Sequence, residues 1–273
     1  MGYVSEVKPE GFKAVNDLEL LRRVKQVSPN TKTVFRKHVS NQAPYYQGDP
    51  IEGAARFFNW IYPELAHYGD VIDYVEGINE EIGTGCRDKN RKVVAFEAEL
   101  ADLVGESGLA KPCVLNVAVG NPGHDEVEDL IPAVEAAVRW DGLVGYHAYW
   151  PTTRERSWLV SDWKHYAGRW TEWDKVFDAK PCYAFTEGGP ISGLNPPYQL
   201  GAGSGWRSPE CLGGDWGRHV EQLHTFRQMV AEWNAEHGNR ARFLCLFTVG
   251  RGMNWDYFEY HEEELAALTE VLR

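Results

Sequence analysis

The sequence predicts an α/β fold: a (β/α)8 TIM barrel with about seven recognisable β-strands and the first one lacking. Three observations carry this. Apolar strand-like runs alternate with helical patterns along the chain, the order that gives a parallel sheet with helices outside it. The runs are almost continuously apolar, as strands buried on both faces are. No GxGxxG or Walker pattern is present, and Asn16-Asp17-Leu18 follows the first run instead, which argues against a doubly wound open sheet.

The elements follow in order. Strands are expected at 11–16, 32–39, 71–80, 112–119, 143–150, 181–187 and 242–249. Helices are expected near 17–27, 52–67, 91–106, 158–178 and 261–272. Leu130, Ile131, Val134, Ala137 and Val138 recur at the spacing of one helix face, as do Phe226, Met229, Val230 and Trp233. Lys111-Pro112-Cys113 and Lys180-Pro181-Cys182 each open a strand after a helix, where a proline costs little ladder bonding. Met1 to Lys8 reads as the tail of a helix, so the N-terminus is read as truncated. No linker or composition break divides the chain, and residues 1–273 are expected to form a single barrel domain. The Gly- and Pro-rich stretch 188–217 is long for a connection, and such loops are usually functional.

Composition excludes several functions. The net charge of −12 argues against nucleic acid, whose phosphates reward Lys and Arg, and against an anionic membrane surface. No apolar run approaches the roughly 20 residues of a membrane span, and no signal peptide opens the chain. The compartment stays open between cytoplasmic and secreted with the leader missing. The five Cys are odd in number and lack a CxxC, so no disulfide framework is implied; a Cys86–Cys211 pair is left open. No HExxH, GxSxG or EF-hand pattern occurs, and no cofactor is expected.

Two runs end abruptly in a carboxylate: Tyr74-Val75-Glu76-Gly77-Ile78-Asn79-Glu80 and Tyr183-Ala184-Phe185-Thr186-Glu187-Gly188-Gly189. Catalytic residues of α/β barrels sit at strand C-termini, so Glu80 and Glu187 are the candidate catalytic pair. Side chains alternate along a strand. Glu76 therefore points into the barrel below Glu80 and needs a partner, for which Arg36 and Lys13 are candidates. The same parity sends His147 and Tyr149 to the barrel mouth, and puts Arg36 and His38 on one face. Trp150, Trp206 and Trp255 lie in apparent loops, where aromatic rings can stack on sugars, and Thr248 ends the last strand. Two carboxylates facing each other across a pocket suit glycosidic bond cleavage: one donates a proton to the leaving oxygen and the other attacks the anomeric carbon or activates water.

These motifs resemble those of the clan A glycoside hydrolases. Glu76-Gly77-Ile78-Asn79-Glu80 is similar to the clan's strand-four Asn-Glu motif, Thr186-Glu187-Gly188-Gly189 to its strand-seven nucleophile motif, and His147-Ala148-Tyr149 to its strand-six His-x-Tyr. The resemblance implies a retaining enzyme. Glu80 would be the acid/base and Glu187 the nucleophile; Asn79 would bind a sugar 2-hydroxyl, and His147 and Tyr149 would orient Glu187. Three departures stand out. Glu81 replaces the usual Pro after Asn-Glu. The Trp common near the end of strand eight is absent from that strand, with Trp255 after it as a substitute. Only two strands precede the Asn-Glu strand, where the clan has three.

The first expectation is therefore a retaining glycosidase acting on a β-linked oligo- or polysaccharide. A second is a non-catalytic, degenerate carbohydrate-binding barrel. A third is a metal-assisted barrel hydrolase using His124 or His147; against the first of these, His124-Asp125-Glu126 also reads as a solvated loop. An open parallel edge is a template for association, so a homo-oligomer through that edge is a further expectation.

Overall fold

The computed structural model describes residues 1–192, 205–247 and 255–272. Thr248 and residues 193–204 of the Gly- and Pro-rich stretch lie outside the described residues. Seven strands form one parallel sheet in sequence order: β1 Gly11–Val15, β2 Lys32–Arg36, β3 Tyr74–Glu76, β4 Lys111–Val117, β5 Leu143–Pro151, β6 Cys182–Ile191 and β7 Ala241–Leu244. Among the described residues the sheet curls into a nearly closed barrel of seven strands, one short of eight. Edge strands β1 and β7 meet without a shared ladder among the described residues. At this seam the Phe243 ring packs so closely on Gly11 that a Cβ there would lie 2.2 Å from it. Val34, Cys113, Leu143, Ala184 and Phe243 fill the barrel interior beneath the site.

Helices clothe the outside: α1 Gly2–Val7, α2 Leu18–Val27, α3 Ala43–Tyr46, α4 Pro50–Tyr68, α5 Arg87–Ser107, α6 Ile131–Arg139, α7 Trp170–Trp173, α8 Trp216–His237 and α9 Glu262–Leu272. Local chemistry sets their starts. Asp17 caps α2 by accepting the Leu20 N–H at 2.9 Å, and Asp49 caps α4, with Pro50 at its first position. The apolar stripes bury Leu21 and Val24 of α2, Phe57, Ile61 and Leu65 of α4, and Val93, Leu100 and Val104 of α5. No helix among the described residues is long and apolar enough to cross a membrane.

One expected helix is corrected. Residues 158–178 form turns, a 3-10 segment at Trp163–His165 and the short α7. Trp170 and Trp173 are both fully buried, and the chain folds back on itself so tightly that a Cβ on Gly168 would sit 2.0 Å from the Trp163 ring. A continuous helix cannot make that return. Several expected strands also stop early: β2 ends at Arg36 rather than at residue 39, and β3 at Glu76 rather than at residue 80. Cys86 is exposed and Cys211 buried, and both are free thiols.

Candidate active site

Two bulges build the site. Between β5 and β6 the register runs Tyr146 opposite Phe185 and then His147 opposite Glu187, so Thr186 is the extra residue. Such a bulge re-aims the next side chain, and here it sets Glu187 level with His147. Between β4 and β5, Val114 pairs with Val144 and Val117 with Tyr146, leaving Leu115 and Asn116 against Gly145. Leu115 and Asn116 both adopt left-handed backbone, with φ of 76° and 39°. Gly145 is required beside them, because a Cβ there would lie 2.1 Å from the Asn116 Oδ1.

Glu80 lies just past β3 and is also left-handed, with φ of 56°. Its N–H donates to the bulged Asn116 carbonyl at 3.2 Å. Its carboxylate meets His147 Nδ1 at 2.6 Å, and the same nitrogen lies 3.5 Å from Glu187 Oε2. One oxygen each of Glu80 and Glu187 and a ring nitrogen of His147 all fall within 4.8 Å of one another. The two carboxylates therefore flank His147 and face each other across it.

Their surroundings differ. The Glu80 side chain is 35% exposed and that of Glu187 only 10%. Glu187 Oε1 accepts from Lys13 Nζ at 3.1 Å and from Arg36 Nη1 at 3.0 Å, and Oε2 accepts the Tyr149 hydroxyl at 3.1 Å. Burial alone would raise the Glu187 carboxyl; His147, Lys13 and Arg36 outweigh it and hold the group well below the usual carboxylate range. Arg36 is the converse case: burial works against its charge, while Glu187, Glu76 and Glu80 raise its pKa. Burial, with Glu187 beside it, pushes the Tyr149 phenol well up, so it stays a hydrogen-bond donor. Below the pair, fully buried Glu76 lies 2.9 Å from Lys13 Nζ and 3.9 Å from Arg36 Nε. Two cations thus balance two buried carboxylates.

Asn79 Oδ1 accepts from Arg36, its N–H donates to Gln42 Oε1, and its carbonyl accepts from Gln42 Nε2 at 2.9 Å. Glu81 is tied down by Gln42, by the Tyr46 hydroxyl at 2.8 Å and by Lys89 at 2.6 Å. This network braces the Asn79-Glu80 turn without the proline. Sequence reasoning missed Gln42, Tyr46 and Lys89; no local signal marked them, since each reaches the turn from a distant segment.

The remaining candidates separate. Trp255 is 39% exposed and packs on Phe247 and Phe258, which both lie against the Tyr149 ring, so it belongs to the rim of the site. Trp150 does not. It is fully buried on the outer face of β5, stacked on Phe226 and donating to Gln222 Oε1 at 2.7 Å. Parity explains this: the alternation that turns His147 and Tyr149 inward turns Trp150 outward. Trp206 is also removed from the site, buried against His219 and Tyr260. His38 falls beyond β2 and is exposed, its N–H captured by Asn16 Oδ1 at 2.9 Å. His124, Asp125 and Glu126 do not converge: Asp125 pairs with Arg87 and Glu126 accepts the Gly85 and Gly123 N–H groups. A cavity of about 480 Å³ runs from the β1–β7 seam to Glu187, walled by Phe12, Lys13, Leu244, Cys245 and Phe247.

Fold and site together define a (β/α) barrel that carries a carboxylate pair, Glu80 just past β3 and Glu187 within β6, which runs on to Ile191 rather than ending at residue 187. No protein-family model matches the chain, and no curated protein matches it by sequence. Among solved structures, the chain is similar to XacCel5A at 11% identity and a TM-score of 0.52, over 100% of this chain and 88% of that one. It is likewise similar to the virulence factor SghA, solved with its substrate analogue salicin, at 12% identity and a TM-score of 0.52, over 99% and 83% of the two chains. At such identities the likeness is one of fold, and it runs the full length of this chain.

Proposed function

We propose that the protein is a retaining glycoside hydrolase acting on a β-linked oligo- or polysaccharide. One observation supports this most: a buried carboxylate stripped of its proton by two cations faces a second, solvent-open carboxylate with oxygens within 4.8 Å. In the first step Glu187 attacks the anomeric carbon and forms an ester to the sugar, while Glu80 passes its proton to the departing oxygen. In the second step Glu80 takes a proton from water, and the resulting hydroxyl displaces Glu187 with net retention. Tyr149 holds Glu187 by its second oxygen. Asn79, whose carbonyl end is engaged by Arg36, offers its amide NH2 to the sugar 2-hydroxyl. Trp255 supplies a ring face at the rim.

Glu80, His147 and Glu187 could also present ligand atoms to a metal ion. Lys13 and Arg36 disfavour this reading, because they already neutralise Glu187 and would repel a divalent cation. Glu187→Gln keeps the shape and removes the nucleophile. It should abolish turnover of aryl β-glycosides while leaving circular dichroism unchanged. Near-normal activity in that variant sinks the assignment, and loss of wild-type activity with a chelator would favour the metal reading instead.

A further inference from the structure

Glu97 lies on α5, outside the constellation just described, and is 1% exposed. Its two oxygens do separate jobs. Oε1 accepts the Ile78 N–H at 3.0 Å, two residues before Glu80, and Oε2 accepts the Leu115 N–H at 3.2 Å. Both donors have left the sheet ladder: Ile78 follows the end of β3, and Leu115 is the first residue of the β4 bulge. The left-handed bulge needs support, since a side chain crowds the backbone there wherever the residue is not glycine. The bulge also delivers the Asn116 carbonyl that accepts the Glu80 N–H. Gly77 leaves room for the acid, because a Cβ there would lie 2.4 Å from Glu97 Oε1.

We infer that Glu97 is a positioning residue for Glu80: by bridging Ile78 and Leu115 it ties the end of β3 to the β4 bulge and sets where the acid/base carboxyl stands. This rests on Glu80 acting as acid/base. The requirement is for two acceptor oxygens. A carboxyl group offers lone pairs on both oxygens in either protonation state, whereas a carboxamide offers them on one and turns an NH2 toward the other donor.

The test compares wild type, Glu97→Gln and Glu80→Ala on aryl β-glycosides of graded leaving-group acidity, from 2,4-dinitrophenyl to phenyl, with melting temperature recorded for each. In the first step, read by kcat/KM, a displaced acid/base slows substrates that need a proton and spares those that do not. We expect kcat/KM of Glu97→Gln, which reports the first step alone, to fall roughly 100-fold on phenyl glycosides and by less than about 5-fold on dinitrophenyl glycosides. Glu80→Ala should show the same selectivity more strongly. An equal loss on both substrates, or none, in a folded Glu97→Gln overturns the inference while leaving the Glu80 assignment standing. A flat response in Glu80→Ala, or a wild type inactive on the whole panel, overturns the proposed function itself and the inference with it. Should Glu97→Gln not fold, Glu97→Asp keeps both acceptor oxygens on a shorter arm and carries the same comparison. If neither folds, Glu97 is a framework residue and the inference fails.

Discussion

Lys13 is where the electrostatics of the site can be tested most directly. Its Nζ lies 3.1 Å from Glu187 and 2.9 Å from Glu76. Lys13→Met keeps the length of the apolar stem and removes the charge. At an effective dielectric of about 20, a unit pair at this distance is worth about 5 kcal/mol, a ceiling of about 4 units on the Glu187 pKa. Arg36 and His147 remain, and water entering beside the shortened side chain screens part of the loss, so we expect a rise of about one to two units. The sign is fixed by the folded state. Glu187 is held below its unfolded value, so its pairing contributes stability above the ordinary carboxylate range, lost as pH falls. Removing Lys13 raises the folded pKa and moves the acid limb of activity to higher pH. The assay is kcat/KM against pH with a 2,4-dinitrophenyl glycoside, whose departure needs no proton and which therefore reports the nucleophile. Stability should drop by about 3–5 kcal/mol, because two buried carboxylates then share one guanidinium. Lys13→Arg, which restores the charge, should recover most of both. A folded Lys13→Met with an acid limb superimposable on wild type would refute the reasoning.

Two further outcomes follow. Trp255→Ala should raise KM several-fold with little change in melting temperature, whereas Trp150→Ala should cost about 3–5 kcal/mol by chemical denaturation and leave KM of the folded fraction unchanged; reversal of that pattern would return Trp150 to the site. Burial pushes Glu97 up to about 8, with two backbone N–H groups lowering it and Glu76 raising it. A carboxyl with a raised folded pKa makes the protein lose stability as pH climbs from its unfolded value toward its folded one. Wild type should therefore lose up to about 4–5 kcal/mol relative to Glu97→Gln between pH 4.5 and pH 8, and parallel stability curves for the two proteins would contradict this.

The order of strands and the two carboxylates were legible because both are written locally. Each strand is an apolar run of a few residues, and Glu80 and Glu187 interrupt such runs at their ends. Parity also turned Glu76 inward, and its need for a partner named Arg36 and Lys13 as candidates; both lie beside it. What stayed hidden depends on bulges and on distant contacts. An inserted residue such as Thr186 breaks the period of two without any compositional mark. Leu115 and Asn116 look like ordinary strand residues until their φ values are seen. Glu97 reads as one more acid on a helix, since its donors at Ile78 and Leu115 come from the turn after β3 and from the β4 bulge. Two of the three tryptophans offered as sugar-stacking rings err in the other direction: Trp150 closes an expected strand and points outward from β5, and Trp206 lies within a buried aromatic cluster.

The strand deficit bears on the site less than the sequence suggested. Glu80, His147, Tyr149 and Glu187 stand on or just past β3, β5 and β6, which are joined through β4 in one uninterrupted ladder. Their separations are set by that ladder and its two bulges, of which the one between β4 and β5 is remote from the β1–β7 seam and the one between β5 and β6 stands a single strand from it. Lys13 alone among the charged groups touching Glu187 sits on an edge strand, and it reaches inward from β1 across the cavity that the seam leaves open. Any loosening of the seam would thus act first on the charge balance of Glu187 rather than on the distance between the carboxylates. A perturbation there, such as Gly11→Ala pressing on Phe243, should shift the acid limb in the same direction as Lys13→Met while sparing the leaving-group dependence that Glu80 governs.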